Sequence, residues 1–237
     1  MITIDSVMKR RKIVLLSLMI AFLLLFFIMT ILVVSNDNYP LNLDNNILNL
    51  ILENRGEKGN FTYWSFRIVT EFGYIYAALF FGIILVFYTK MDTRGICFAI
   101  GSIIFLILNF AVKRIIQRPR PLEEYRWMVE DGYSFPSGHS LVTGFMYSYF
   151  AYVFIKDQKI GKSLRIILVS LCIIMIPCVM LSRLILSVHY FSDVIAGMSL
   201  GLALSFSMML LNNYLYFKDI IKTPLLTLII KKFKKEK

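Results

Sequence analysis

The chain is poor in the residues that build disulfide scaffolds and transition-metal centres. It has only three cysteines and two histidines among 237 residues. The cysteines, Cys97, Cys172 and Cys178, all lie inside apolar runs, so we interpret them as buried thiols instead of a disulfide framework. Two histidines without cysteine pairs or a Glu-x-x-His sequence supply few nitrogen or sulfur ligands, so we expect no metal and no cofactor.

Charged residues are also scarce, at 17% of the chain, whereas hydrophobic residues make up 58%. An ordinary soluble domain of this length has roughly 45–50% apolar residues. The formal net charge is nevertheless +11, from 26 Lys and Arg against 15 Asp and Glu. A nucleic-acid-binding protein would account for the charge but not for long uncharged apolar runs. The composition therefore predicts a membrane protein. We expect it to contact membrane lipids and to bind no nucleic acid.

Six stretches are long enough, or nearly so, to cross about 30 Å of hydrocarbon as helices of roughly 20 residues. They are residues 13–34, 68–89, 95–112, 135–155, 166–182 and 194–217. We predict an all-α polytopic membrane protein in which residues 1–237 form a single membrane-embedded domain. Its six transmembrane helices form a bundle, and residues 218–237 form a basic cytoplasmic tail. Apolar spacing in residues 43–52 fits an interfacial helix and a partly ordered loop equally well.

The positive charge is distributed unevenly between the two sides that six spans define. One set of segments, which includes both termini, holds 17 Lys and Arg against five acidic residues. The other set holds nine against ten. The positive-inside tendency therefore places both termini in the cytoplasm and the longer loops outside, and we expect the plasma membrane. No small-residue cleavage site follows the first stretch, so we expect it to remain as a span.

Three polar clusters lie where the predicted external loops meet the spans. They are Lys113 followed after six intervening residues by Arg120-Pro121, then Pro136-Ser137-Gly138-His139, and Ser182-Arg183 with His189 and Asp193. Pro119 and Pro121 disfavour helix at the residues before them, so the helix of Lys113 should end and Arg120 can fold back toward Lys113.

Backbone geometry suggests a role for the other two clusters. Pro136 suits a first helical position, which would leave the N–H groups of Ser137 and Gly138 unpaired and able to bind an anion. His189 and Asp193 are four residues apart, so on a helix they would face the same way. The carboxylate could then accept a hydrogen bond from one imidazole N–H and leave the other nitrogen as an acceptor or nucleophile.

Together these groups fit a phosphoryl group. Lys113, Arg120 and Arg183 supply three cations, and the Ser137 hydroxyl adds a donor. Charge stabilisation is most of what phosphoryl transfer requires of a protein. A transporter of phosphorylated compounds could use the same cations. Against that alternative, the ionisable residues cluster at one membrane face instead of the midplane, and the histidines add acid–base chemistry.

The three clusters resemble the signature of the type 2 phosphatidic acid phosphatase superfamily, integral-membrane relatives of the vanadium haloperoxidases. All eleven signature identities are present with the family's internal spacings. The resemblance implies that His189 attacks phosphorus to form a phosphohistidine, that Asp193 orients it, and that His139 acts as general acid and then as base. It also implies no metal, and a phosphate site at the external membrane edge formed by Lys113, Arg120, Ser137, Gly138 and Arg183.

Bacterial members of this size act on phosphatidylglycerophosphate, undecaprenyl diphosphate and phosphatidate, so the resemblance implies a lipid phosphate substrate of that kind. A lipid A or sphingolipid-phosphate phosphatase of the same family is an alternative, and no oligomeric state is predicted.

Several neighbouring residues have simpler interpretations. Arg114, Arg118 and Arg126 could widen the electrostatic funnel or contact a headgroup, and snorkelling at the interface explains them equally well. In the family-like sequence Thr70-Glu71-Phe72-Gly73, we interpret Glu71 as a polar contact between helices. The remaining assignments are an aromatic interface belt for Tyr125, Trp127 and Tyr133, and close helix packing for Gly197 and Gly201.

Overall fold

The computed structural model describes residues 4–217, and within that range it is entirely helical. It contains eight α-helices, one short 3-10 turn at Glu123–Tyr125 and no strand. The helices are α1 Ile4–Ser35, α2 Asn42–Asn54, α3 Phe61–Glu71, α4 Ile75–Tyr88, α5 Thr93–Ile116, α6 Gly138–Lys156, α7 Lys162–Ile185 and α8 Phe191–Phe217. The predicted all-α class is confirmed. The predicted basic tail, residues 218–237, lies outside the described residues.

Four of these helices, α1, α5, α7 and α8, are long and apolar enough to cross a membrane. The predicted second span, residues 68–89, is instead divided between α3 and α4, which are bent by 46° and together could form a fifth. Helix α6 does not stand out by composition, because a histidine, a threonine, two serines and three tyrosines reduce its hydropathy. The membrane character is supported, and the count of six spans stays a prediction.

Helix α6 lies inside the bundle, between α7 and α8, and most of its side chains are buried. Helix α8 packs against α1, α5 and α6. A Cβ on Gly201 would lie 2.2 Å from the Leu141 carbonyl oxygen, and one on Gly197 would lie 2.3 Å from the Ser137 carbonyl oxygen. Both glycines therefore allow α8 to touch the α6 backbone, which confirms the predicted close packing.

Large apolar side chains cover much of the outer surface of the bundle. Exposed examples occur on α1, α4, α5 and α7, including Phe27, Ile31, Phe80, Ile103 and Ile173. Exposed apolar area on this scale is typical of a lipid-facing surface and not of a monomeric soluble protein.

Residues 43–52 belong to a helix, α2, so the helical interpretation of this segment is correct. The helix ends at Asn54, and Gly56 follows in the left-handed region with φ +76°. Helix α2 packs against α7 and α8 and buries Asp44 almost completely. This carboxylate reaches the site described next.

Candidate active site

The three polar clusters converge at one end of the bundle because each lies at a helix end. Lys113 is in the last turn of α5, and Arg183 is in the last turn of α7. His139 is in the first turn of α6, and Asp193 is in the first turn of α8. The loop after α5 supplies Arg120, and the loop between α7 and α8 supplies His189.

His189 and Asp193 are close, but they do not share a helix. Helix α8 begins at Phe191, so the predicted pairing of two side chains on one helical face is wrong. Asp193 Oδ2 instead accepts the N–H of Tyr190 at 2.8 Å and so satisfies a free donor at the start of α8. Its distance to His189 Nδ1 is 3.7 Å, too long for a direct hydrogen bond.

The Ser134 hydroxyl lies between these two groups. Its Oγ donates to Asp193 Oδ2 and lies 3.3 Å from His189 Nδ1. Ser134 is fully buried, and its own N–H donates to the carbonyl of Arg118 at 2.8 Å. No motif drew attention to Ser134 in the sequence, because a single serine just before Phe135-Pro136 carries no spacing signal.

The other imidazole nitrogen of His189 faces a guanidinium. Arg120 Nη1 lies 3.1 Å from His189 Nε2. Since a guanidinium can only donate, we assign Nε2 as the acceptor and Nδ1 as the protonated nitrogen, directed toward Ser134. Burial, and then the positive charges of Arg120, Arg183 and Lys113, hold the pKa of His189 well below its ordinary value of 6.5. The imidazole is therefore neutral, with its lone pair at Nε2.

Backbone carbonyls hold two of the three predicted phosphate-binding cations. Helix α5 ends at Ile116, as the prolines predict, and Gln117 turns the chain with φ 52°. Arg120 donates to the carbonyls of Asp131, Gly132 and Val188 at 3.1, 3.1 and 2.8 Å. Lys113 Nζ donates to the Tyr133 carbonyl. Carbonyls position these cations without neutralising them.

Arg183 is completely buried and bonds to side chains from other segments, Thr70, Glu130 and, through sulfur at 3.7 Å, Met128. Its Nη1 donates to Thr70 Oγ1 at 2.7 Å, and its Nη2 is paired with Glu130 Oε1. The other carboxylate oxygen of Glu130 lies 3.7 Å from Arg120 Nη2. A carboxylate thus lies between two of the three cations, and no motif or spacing in the sequence indicates Glu130.

The Pro136-Ser137-Gly138-His139 cluster starts α6 at Gly138, two residues later than predicted. Ser137 is the N-cap, and its Oγ accepts from Ser140 N at 3.4 Å and from Ser140 Oγ at 3.0 Å. The Ser137 N–H donates to the Asp193 carbonyl at 3.0 Å, so the expectation that it is unpaired is wrong. The free N–H groups of α6 therefore begin at Gly138, because first-turn donors have no intrahelical partner.

His139 is buried, and its ring is nearly perpendicular to the Tyr74 ring, with ring centroids 4.9 Å apart. Within residues 4–217, its Nε2 has no hydrogen-bond partner. A buried imidazole nitrogen without a protein partner is available to bind a water molecule or a ligand, or to take part in a reaction.

The family model of the PAP2 superfamily matches residues 93–217, which is more than half of the chain. The chain belongs to the PAP2 superfamily. All eight predicted site residues lie inside the matched segment, whereas Asp44 and Thr70 precede it.

Two curated relatives match part of the chain. Phosphatidylglycerophosphatase B of Bacillus subtilis (strain 168) is 36% identical over 102 residues, which are 42% of this chain and 49% of that protein. Dolichyldiphosphatase of Saccharomyces cerevisiae is 32% identical over 108 residues, 44% and 45% of the two chains. The chain thus spans about half the length of the curated relatives it matches.

A solved structure matches more of the chain. It is the crystal structure of a transmembrane PAP2-type phosphatidylglycerolphosphate phosphatase from Bacillus subtilis, with a TM-score of 0.64 and 25% sequence identity. The match covers 87% of this chain and 96% of that one, so the similarity of fold extends well beyond the segment that matches the PAP2 family model.

Two residues of the Thr70-Glu71-Phe72-Gly73 sequence support the PAP2 site from outside that segment. Thr70 accepts a hydrogen bond from Arg183. A Cβ on Gly73 would lie 3.4 Å from His139 Cβ, so the segment between α3 and α4 packs closely against α6. Glu71 does not contribute. Its side chain is 52% exposed and pairs with Arg67 on its own helix, so the predicted contact between helices is wrong.

Arg118 also differs from its predicted roles in the PAP2 site. It is completely buried between Asp193 and Asp44. It therefore neither widens an electrostatic funnel at the surface nor snorkels to the membrane interface. Arg114, in contrast, lies on the Phe110 ring, 5.2 Å from its centroid. Trp127 is buried against Leu186 and Val188 instead of lying in an interface belt.

Proposed function

We propose that this PAP2 protein is an integral-membrane lipid phosphatase that hydrolyses a phosphomonoester or diphosphate on a lipid. The observation that carries the proposal is the placement of Lys113, Arg120 and Arg183 around a neutral His189 at one end of a membrane bundle. The names of the relatives, a phosphatidylglycerophosphatase and a dolichyldiphosphatase, support a lipid phosphate substrate.

In the first step, His189 Nε2 attacks phosphorus in line with the leaving oxygen. The phosphorus–oxygen bond breaks, and His139 gives a proton to the departing alcohol or phosphate oxygen. The product is a phosphohistidine. The positive charge that develops on His189 is stabilised through its Nδ1 proton, which faces Ser134 and, behind it, Asp193.

In the second step, His139 removes a proton from water, the hydroxide attacks phosphorus, and the bond to Nε2 breaks. Inorganic phosphate leaves and His189 is again neutral. Throughout both steps the three cations, the Ser137 hydroxyl and the Gly138 N–H hold the equatorial oxygens, where charge is concentrated in the transition state. None of these steps requires a metal or a cofactor.

The decisive experiment measures phosphate release by purified protein in detergent with EDTA present. We expect turnover with EDTA, and we expect His189→Ala and Lys113→Ala to abolish it. Arg114→Ala is the matched control, since it removes a neighbouring cation outside the site and should keep activity. Full activity of His189→Ala would refute the nucleophile, and loss of turnover with EDTA would refute metal independence.

Substrate choice and orientation are further parts of the proposal. The site suits lipids whose chains stay in the bilayer, such as phosphatidylglycerophosphate, undecaprenyl diphosphate and phosphatidate. Comparing kcat/KM across these three and undecaprenyl phosphate separates monophosphate from diphosphate preference. We further propose that both termini are cytoplasmic in the plasma membrane and that the site faces outward.

A further inference from the structure

A buried ion-pair network connects α2 to Asp193. Arg118 is the centre of this network and is completely buried. Its Nη1 contacts Asp193 Oδ1 at 2.6 Å, and its Nη2 contacts Asp44 Oδ2 at 2.8 Å. Asp193 and Asp44 are also almost completely buried, with 0% and 1% exposure. Buried charges of this kind are expensive unless they are paired, and here each has a partner.

Asp44 also fixes the start of α8. Its Oδ1 accepts the Ser192 N–H at 2.8 Å, and its Oδ2 accepts the Ser192 hydroxyl at 2.8 Å. Arg118 Nη1 lies 2.7 Å from the same hydroxyl, and its guanidinium lies over the Tyr190 ring, 4.6 Å from the centroid. The residues on both sides of Phe191 are thus held by α2 and by the loop after α5.

The charges in the network do not cancel. One guanidinium is shared by two carboxylates, which leaves a net negative charge behind His189. If Asp44 were uncharged, Arg118 would neutralise Asp193 and weaken its attraction for positive charge on the imidazole.

We propose that Asp44 and Arg118 are positioning residues for the hydrolysis, which orient Asp193 and keep its charge available to His189. This inference rests on the proposed function. It adds to the site a residue from α2, which lies outside the segment matched to the PAP2 family.

The test compares full-length wild type, Asp44→Asn and Asp37→Asn in detergent. Asparagine keeps the shape of the Asp44 side chain and removes its charge. Asp37 is exposed in the preceding loop, so Asp37→Asn is the control for removing a negative charge nearby. We expect Asp44→Asn to lower kcat at least tenfold with KM within about twofold, a barrier increase of about 1.4 kcal/mol.

The pH profile distinguishes positioning from a purely structural role. In Asp44→Asn the loss of negative charge should lower the pKa of His189 further, so the acid limb of kcat/KM should move to lower pH. Substrate ionisation is common to all three proteins, so the difference belongs to the enzyme. We expect Asp37→Asn to match wild type.

Unchanged kcat in Asp44→Asn would overturn the inference. So would a kcat loss that is accompanied by a lower thermal midpoint and an unshifted acid limb, because that result describes a structural contact only. A wild type without phosphate release would refute the proposed function itself and this inference with it. Arg118→Lys keeps the positive charge but loses the planar guanidinium whose two nitrogens contact Asp44 and Asp193. It should lower kcat and leave the acid limb of kcat/KM close to that of wild type.

Discussion

In the proposed site, the carboxylate of Glu130 lies between two of the cations that would bind phosphate, so replacing it with glutamine should tighten phosphate binding. Glu130 is paired with Arg183 and lies 3.7 Å from Arg120, and its side chain is only 16% exposed. A phosphate that binds both guanidinium groups must displace this carboxylate or share them with it. Glu130→Gln keeps the size of the side chain and removes the competing charge.

The size of the effect follows from the geometry. At 3.7 Å and an effective dielectric constant of about 20, two unit charges attract by about 4.5 kcal/mol. Desolvation offsets most of this attraction. A hydrogen bond to a charged group contributes about 1.5–3 kcal/mol and a neutral one about 0.5–1.5 kcal/mol. The difference between the midpoints, about 1.25 kcal/mol, corresponds to about an eightfold lower Kd for inorganic phosphate.

Isothermal titration calorimetry with inorganic phosphate measures this Kd directly in detergent. Glu123→Gln is the matched control, because Glu123 is on the same loop, is 90% exposed and is paired only with Arg126 at 3.2 Å among the described contacts. We expect the control to bind phosphate as wild type does. An equal or higher Kd in Glu130→Gln would show that the carboxylate holds the arginines in place instead of competing for them, and would refute the reasoning.

Three other predictions follow from the structure. Gly201→Ala should lower the thermal midpoint by about 5 °C, since its Cβ would overlap the α6 backbone. A Cβ on Gly161 would have no atom within 4 Å, so Gly161→Ala should keep the wild-type thermal midpoint. Equal midpoints for Gly201→Ala and Gly161→Ala would contradict the packing argument. In histidine NMR titrations, His189 should stay neutral at pH 6 because its pKa is lowered; a midpoint at 6.5 or above would be inconsistent with its buried, cationic surroundings. A reporter fused after Lys237 should behave as cytoplasmic, and an external signal would reverse the topology.

The sequence was sufficient to predict the helical class and to identify the segments that meet at the site. Long apolar runs predict helices in a membrane because each backbone group must be satisfied within its own segment. The prolines around Arg118 and Arg120 likewise predicted the end of α5. The break between α3 and α4 was not predicted, since apolar residues resume directly after Glu71 and the stretch from residue 68 to 89 is long enough for one span. At the break, Gly73 lies in close contact with α6 and α7, a tertiary contact that local sequence does not reveal.

The contacts within the site were harder to predict from the sequence than the residues that form it. Spacing suggested that His189 and Asp193 share a helix, but the carboxylate satisfies the N-terminus of α8 and so places the histidine outside it. Ser134, Glu130 and Asp44 reach the site from loops and from α2, at long sequence distances. Periodicity describes only local geometry, so it could not identify any of these three residues.

The ion pairs of Arg118 connect the second helix of the chain to the last one described. Asp44 is synthesised early and Asp193 late, and α8 must pack against α1, α5 and α6 before the two carboxylates can share one guanidinium. A nascent chain that has inserted only α1 to α7 lacks Asp193 and leaves Arg118 without half of its ion pairs. The complete ion-pair network can therefore form only after α8 has inserted, so the insertion of α8 sets the earliest moment at which the proposed phosphate site exists.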